Sequence, residues 1–94
     1  MPTFIIRHRV KDYDAWKRVY AEHGKVRAQN GFKKSVVYRY VDDPNHVIIV
    51  FDVQDIEKAK AFAADPVLAE KMKEAGVIDE PKFFYLDGGE NFQN

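Results

Sequence analysis

Cysteine is absent from this 94-residue chain. No disulfide framework, thiolate metal site or cysteine nucleophile is therefore open to it. Net charge is absent as well: 15 basic residues offset 15 acidic ones, with a sequence pI near 6.8. That balance leaves no electrostatic footprint for nucleic acid or for an anionic membrane. The three histidines follow no regular metal-ligand spacing and adjoin no carboxylate cluster, so no metal site is expected. The opening Met1-Pro2-Thr3-Phe4 leads directly into a short apolar strand carrying Arg7 and Arg9. Such a start is neither a signal peptide nor a membrane span, and a cytoplasmic protein is expected. Without an internal repeat, low-complexity segment or linker, the chain reads as one domain over residues 1–87 with a tail over 88–94.

What the chain has is apolar residues (46%) and aromatic ones (14%), enough for a core in a small domain. The organising stretch is Phe32 to Val53. Two runs rich in Val, Ile, Tyr and Phe, Phe32 to Asp42 and His46 to Val53, flank Asp43-Pro44-Asn45, where Pro presets φ for a turn corner and Asn tolerates left-handed geometry. Val47 to Phe51 is apolar at every position, and strand side chains alternate faces, so both faces of that strand need cover.

Around this hairpin the other elements fall in order. Thr3 to Val10 predicts a strand with Phe4, Ile6, His8 and Val10 on one face and Ile5, Arg7 and Arg9 on the other. Asp12 offers an N-cap for a helix to about Asn30, whose inward stripe is Tyr13, Trp16, Val19, Tyr20, His23 and Val26, with Asn30-Gly31 as its stop. Gly24 within it costs about 1 kcal/mol relative to Ala and marks a place for a close contact or slight bend. Asp55 caps a second helix bearing Ile56, Ala59, Phe62 and Ala63. Asp65-Pro66 restarts it with Leu68, Met72 and Ala75 inward, and Gly76 ends it. Pro81 to Asp87 is the last strand.

The order strand, helix, strand, strand, helix, strand predicts an α+β, ferredoxin-like βαββαβ fold: a four-stranded antiparallel sheet, the first and third strands central, both helical regions on one face. The helix-free face then needs another sheet, and the chain has no residues left to build one. A homodimer packed sheet on sheet is expected.

Ile6-Arg7-His8-Arg9-Val10-Lys11-Asp12-Tyr13 with Trp16, the turn Asp42-Asp43-Pro44-Asn45, and Phe62-Ala63-Ala64-Asp65-Pro66 before the broken helix resemble the dimeric α/β-barrel superfamily over nearly the whole chain. That superfamily includes antibiotic-biosynthesis monooxygenases and small polyketide cyclases. The resemblance implies a dimeric α/β barrel with a ligand cleft on the helix side of the sheet. The residues of its haem-degrading members are missing: the first strand has no Asn, Trp16 lies on the first helix, and no His follows His46. No cofactor is expected. The plant polyketide cyclase type has a His where Phe4 stands and another where Leu68 stands, so its acid/base pair does not carry over.

His8, on an otherwise apolar inward face, is either a partly buried imidazole bonded to a neighbour or a general base with an ordinary pKa near 6.5. His23 follows Trp16 on the same helical stripe and reads as packing or as a second acid/base candidate beside Tyr20. His46, at the start of the third strand, comes near His8 at one end of the sheet. Tyr13, Trp16, Tyr38, Phe62 and Phe83 are either plain core or, with His46, the lining of a mostly apolar ligand cleft. Arg27 and Arg39 are able to bind a carboxylate but read as solvated. Two function classes follow: a cofactor-independent monooxygenase or cyclase acting on a small aromatic or polyketide-like molecule, or a non-catalytic binding or sensor module. An RNA-recognition motif shares the element order. It is set aside because its exposed sheet aromatics and basic surround are replaced here by an aliphatic face and zero net charge.

Overall fold

The computed structural model describes all 94 residues. The elements are β1 (Thr3–Arg9), α1 (Tyr13–Glu22), α2 (Gly24–Gln29), β2 (Phe32–Arg39), β3 (His46–Val53), α3 (Ile56–Ala64), α4 (Pro66–Glu74) and β4 (Lys82–Leu86). The four strands form one antiparallel sheet in the order β2-β3-β1-β4, with β1 and β3 central as expected. The cross-strand register sorts the side chains onto two faces. Phe4, Ile6, His8, Val47, Ile49 and Phe51 are buried on the helix side, where Trp16 of α1 and Ala59 of α3 join the core. On the other face Ile5, Val36, Ile48, Val50 and Phe84 line up across the strands, only partly covered or exposed. No helix is long and apolar enough to cross a membrane.

Three expected elements differ in detail. The first helix is interrupted at His23, whose backbone (φ −95°, ψ 13°) leaves the helical range. There the Tyr20 carbonyl accepts from the His23 N–H at 3.2 Å, an i to i−3 bond, and from Arg27 Nη1 at 2.7 Å, while Gly24, a poor helix former, opens α2. β2 stops at Arg39 rather than Asp42, because two successive turns close there: Asp43 N–H donates to the Tyr40 carbonyl at 3.3 Å and His46 N–H to the Asp43 carbonyl at 3.0 Å. Those turns use no left-handed residue, so Asn45 contributes hydrogen bonds rather than a positive φ. The last strand is trimmed to Lys82–Leu86, and residues 88–94 have no regular structure.

The helix ends follow their capping residues. Asp12, Asp55 and Asp65 each accept from the N–H two residues on, at 3.1, 2.9 and 2.9 Å. α4 ends in a Schellman motif: Gly76 takes φ +94°, its N–H donates to the Lys73 carbonyl, and the Val77 N–H donates to the Met72 carbonyl.

Candidate active site

A cavity of about 570 Å³ separates the sheet from the helices, within the range typical of small-molecule sites. Its floor is Ile6 and His8 of β1 with Ile49 and Phe51 of β3; α1 and α2 supply Trp16, Val19, Tyr20, His23 and Arg27, and the opposite wall is Phe62, Leu68 and Met72. The wall residues are held by local chemistry. Asn45 of the hairpin accepts from the Tyr13 N–H at 3.0 Å, so the turn itself helps to cap α1 and fixes the helix turn that carries Trp16. The Asp65 cap and Pro66 at the first helical position redirect the chain between α3 and α4, which brings Leu68 and Met72 over the cavity.

His8 is 2% exposed, and its ring meets Trp16 edge-on at 5.7 Å between centroids. Its Nδ1 is buried without a hydrogen-bond partner. Burial pushes the imidazole pKa below its ordinary value, the Asp79 carboxylate partly opposing, so His8 is neutral at pH 7. Trp16 stacks on Tyr20 at 4.9 Å, and the Tyr20 hydroxyl donates to Ser35 Oγ at 2.9 Å. Burial raises the Tyr20 pKa, which keeps the phenol protonated. His23 Nδ1 lies 3.0 Å from the Val19 carbonyl. A carbonyl only accepts, so Nδ1 carries the proton of this contact and Nε2 is the ring nitrogen left for other partners. Phe62 packs edge-on against Phe32 at 4.9 Å.

The cavity thus gathers His8, Tyr20, His23, Trp16 and Phe62. Tyr13 stands behind Trp16, at 5.8 Å between rings, under the Arg39 guanidinium at 3.8 Å, and does not line the cavity. Phe83 is likewise a core residue, stacked on Phe4 at 6.0 Å.

Tyr38 and His46 need correction: both lie on the helix-free face. Tyr38 pairs with Ile48 and is 56% exposed. The cause is a bulge between Phe32 and Lys34. Strict alternation from the core residue Phe32 would turn Tyr38 inward, but the extra residue inverts the alternation along β2. His46 pairs with Arg9 whereas His8 pairs with Val47, so the two histidines do not share a face. Its ring stacks on Tyr40 at 3.7 Å, and burial with the nearby Arg9 and Arg7 lowers its pKa.

Arg27 was expected in solvent. Instead it is half-buried, its guanidinium 3.5 Å above the Tyr20 ring. Lys58, Asp65 and Lys71 at the cavity rim carried no sequence signal beyond ordinary surface charge.

No protein-family model matches the chain, and no curated protein matches it. Solved structures do. One is SnoaB, a cofactor-independent oxygenase from Streptomyces nogalater, 18% identical, with 99% of this chain and 97% of that chain covered and a TM-score of 0.70. Another is a monooxygenase from the gene ActVA-Orf6 of Streptomyces coelicolor, in complex with nanaomycin D: 16% identity, 99% and 91% coverage, TM-score 0.64. A third is an antibiotic biosynthesis monooxygenase, at 15% identity, 96% and 100% coverage and a TM-score of 0.68. The chain has the ferredoxin-like fold of the antibiotic biosynthesis monooxygenase-like proteins.

Proposed function

We propose that this chain is a cofactor-independent monooxygenase acting on a small, electron-rich aromatic or polyketide-like molecule, with His8 as its base. The observation that carries the reading is a buried imidazole at the floor of an apolar, aromatic-walled cavity, where burial lowers its pKa. In this reading a planar substrate lies in the cavity against the Trp16 and Phe62 walls. His8 takes an acidic proton from the ring system, as an imidazole with a depressed pKa does at neutral pH. The resulting carbanion gives an electron to dioxygen, the two radicals combine to a hydroperoxide, and loss of water leaves a carbonyl. Two C–H bonds and one O₂ become one C=O and one H₂O, so no external reductant is consumed. The Tyr20 phenolic oxygen, its proton committed to Ser35 Oγ, accepts from a substrate hydroxyl, and His23 orients a second substrate oxygen through Nε2.

Oxygen uptake with 1,8-dihydroxyanthrone as probe tests this. The parent protein consumes one O₂ per anthrone, and His8→Gln slows turnover by about 10²-fold or more while melting within a few degrees of the parent. Absence of turnover, or a variant within about threefold, refutes the assignment. One feature favours the second reading, a binding or sensor module: no carboxylate or carbonyl orients the His8 ring through Nδ1. In that case the anthrone is bound by parent and variant alike and returned unchanged.

The helix-free face meets its counterpart on a second copy in this proposal. Ile5, Val36, Tyr38, Ile48, Val50 and Phe84 form its apolar band, and a sheet-on-sheet contact is expected to bury well over about 1,200 Å² in total.

A further inference from the structure

Beside the main cavity lies a second one of about 170 Å³, between α2 and the start of β2. The two share Arg27 and Phe51 as walls. The smaller cavity is lined by Arg27, Lys33, Lys34 and Ser35 and by no acidic residue. Strict alternation would send Lys33 and Lys34 to opposite faces of the sheet; the bulge lets both reach this cavity.

None of these cations has a carboxylate partner, the only ion pairs being those of Arg9, Lys60 and Lys71. Arg27 uses one N–H of Nη1 on the Tyr20 carbonyl and sits over the Tyr20 ring. Its other N–H groups remain available, in the fork that matches a carboxylate. Ser35 Oγ accepts from Tyr20, so its own hydrogen is free to donate. A half-buried guanidinium, two ammonium groups and a hydroxyl donor thus meet with no counter-anion supplied by the chain.

Resting on the reading of the main cavity as an aromatic-substrate site, we infer that the substrate carries a carboxylate, which binds at Arg27 with Lys33, Lys34 and Ser35 while the ring system occupies the main cavity. Tyr20 joins the two compartments: its ring supports the guanidinium and its hydroxyl orients Ser35. The anion fixes which edge of the ring faces His8, so the basic compartment sets regiochemistry as well as affinity.

Calorimetric titration with 2-naphthoate and its neutral isostere 2-naphthamide tests this. Emission from Trp16, the single tryptophan, reports entry into the main cavity. The parent protein binds naphthoate about tenfold or more tightly than naphthamide, the preference shrinking as salt is added. Arg27→Gln, at a residue that also walls the main cavity, weakens naphthoate about tenfold more than naphthamide; Lys33→Gln with Lys34→Gln, at exposed positions where the fold is not at stake, lowers naphthoate binding selectively. Naphthoate binding no tighter than naphthamide, or variants that weaken both probes equally, overturns the inference. If anthrone is still oxidised in that event, the oxygenase reading stands and only the carboxylate falls. If there is neither turnover nor binding of any of the probes, both fall.

Discussion

The imidazole of His8 and the indole of Trp16 meet at 71° between planes, one side chain from near the end of the central strand β1 and the other from the first turn of α1. Strand parity fixes the first and the Asp12 and Asn45 caps fix the second, so a polar group is held against an aromatic wall by elements far apart in sequence. Apolar cover on the helix side is also what keeps the imidazole neutral.

Acid is expected to destabilise the fold through His8. Burial lowers its folded pKa, with the His46 charge acting in the same direction and Asp79 against it, whereas in the unfolded chain it titrates near 6.5. Above about pH 6.5 both states are neutral and the contribution is constant. Below that the unfolded state binds the proton first, and stability falls by at most about 1.4 kcal/mol per pH unit until the folded imidazole is protonated too. Melting temperatures measured from pH 8 to pH 5 should fall more steeply for the parent than for His8→Gln. Parallel curves would show that His8 is not held neutral by the fold.

Phe4→Ala should cost about 3–5 kcal/mol. Phe4 is fully buried, with Phe32, Phe51, Phe83 and Tyr85 at 5.7, 5.6, 6.0 and 5.3 Å between ring centres. Close packing on all sides prevents collapse into the void. Urea unfolding measures the loss directly, and a shift below about 1 kcal/mol would mean the aromatic cluster repacks.

Gly76→Ala tests conformation separately from space. A Cβ at Gly76 would approach nothing closer than Lys11 Cβ at 3.9 Å, so no clash opposes it. The left-handed backbone does, at about 1–2 kcal/mol. Gly89→Ala, with open space and no positive φ, serves as the neutral control. Equal melting temperatures for the two variants would remove the Schellman cap from the account.

The fold was legible because apolar periodicity, caps and stops agreed: Asp12, Asp55 and Asp65-Pro66 start helices, and Gly31 and Gly76 take the positive φ that ends them. Placement in the cavity lining was legible where parity runs unbroken, as for His8 on β1 and for Trp16, Tyr20 and His23 on the first helical stripe. It was illegible where a backbone irregularity resets parity. A bulge leaves no residue signature between Phe32 and Lys34, yet it turns Tyr38 outward. His46 was ambiguous for a related reason, since a strand apolar on both faces does not tell which face is which. Arg27 looked solvated because helix-end position says nothing of the Tyr20 ring beneath it.

Those two faces of β3 give the last prediction, through neighbouring residues of similar size and character. Ile49 is 2% exposed on the helix side, facing Ile6 across the sheet. Val50 points the other way, between Ile5 and Val36 on the band assigned to a second copy. Ile49→Asp places an unpaired carboxylate in the core, at a cost of several kcal/mol against a total stability of about 5–15 kcal/mol, and should leave the chain largely unfolded. Val50→Asp leaves that core intact and charges only the outer face. It should keep native circular dichroism while sedimentation at micromolar concentration shows its mass halved relative to the parent. A parent that already sediments as a monomer refutes the dimer, and a Val50→Asp variant that stays dimeric refutes this face as the contact. The comparison separates the two because a one-residue step along a strand changes which solvent, core or partner the carboxylate must meet.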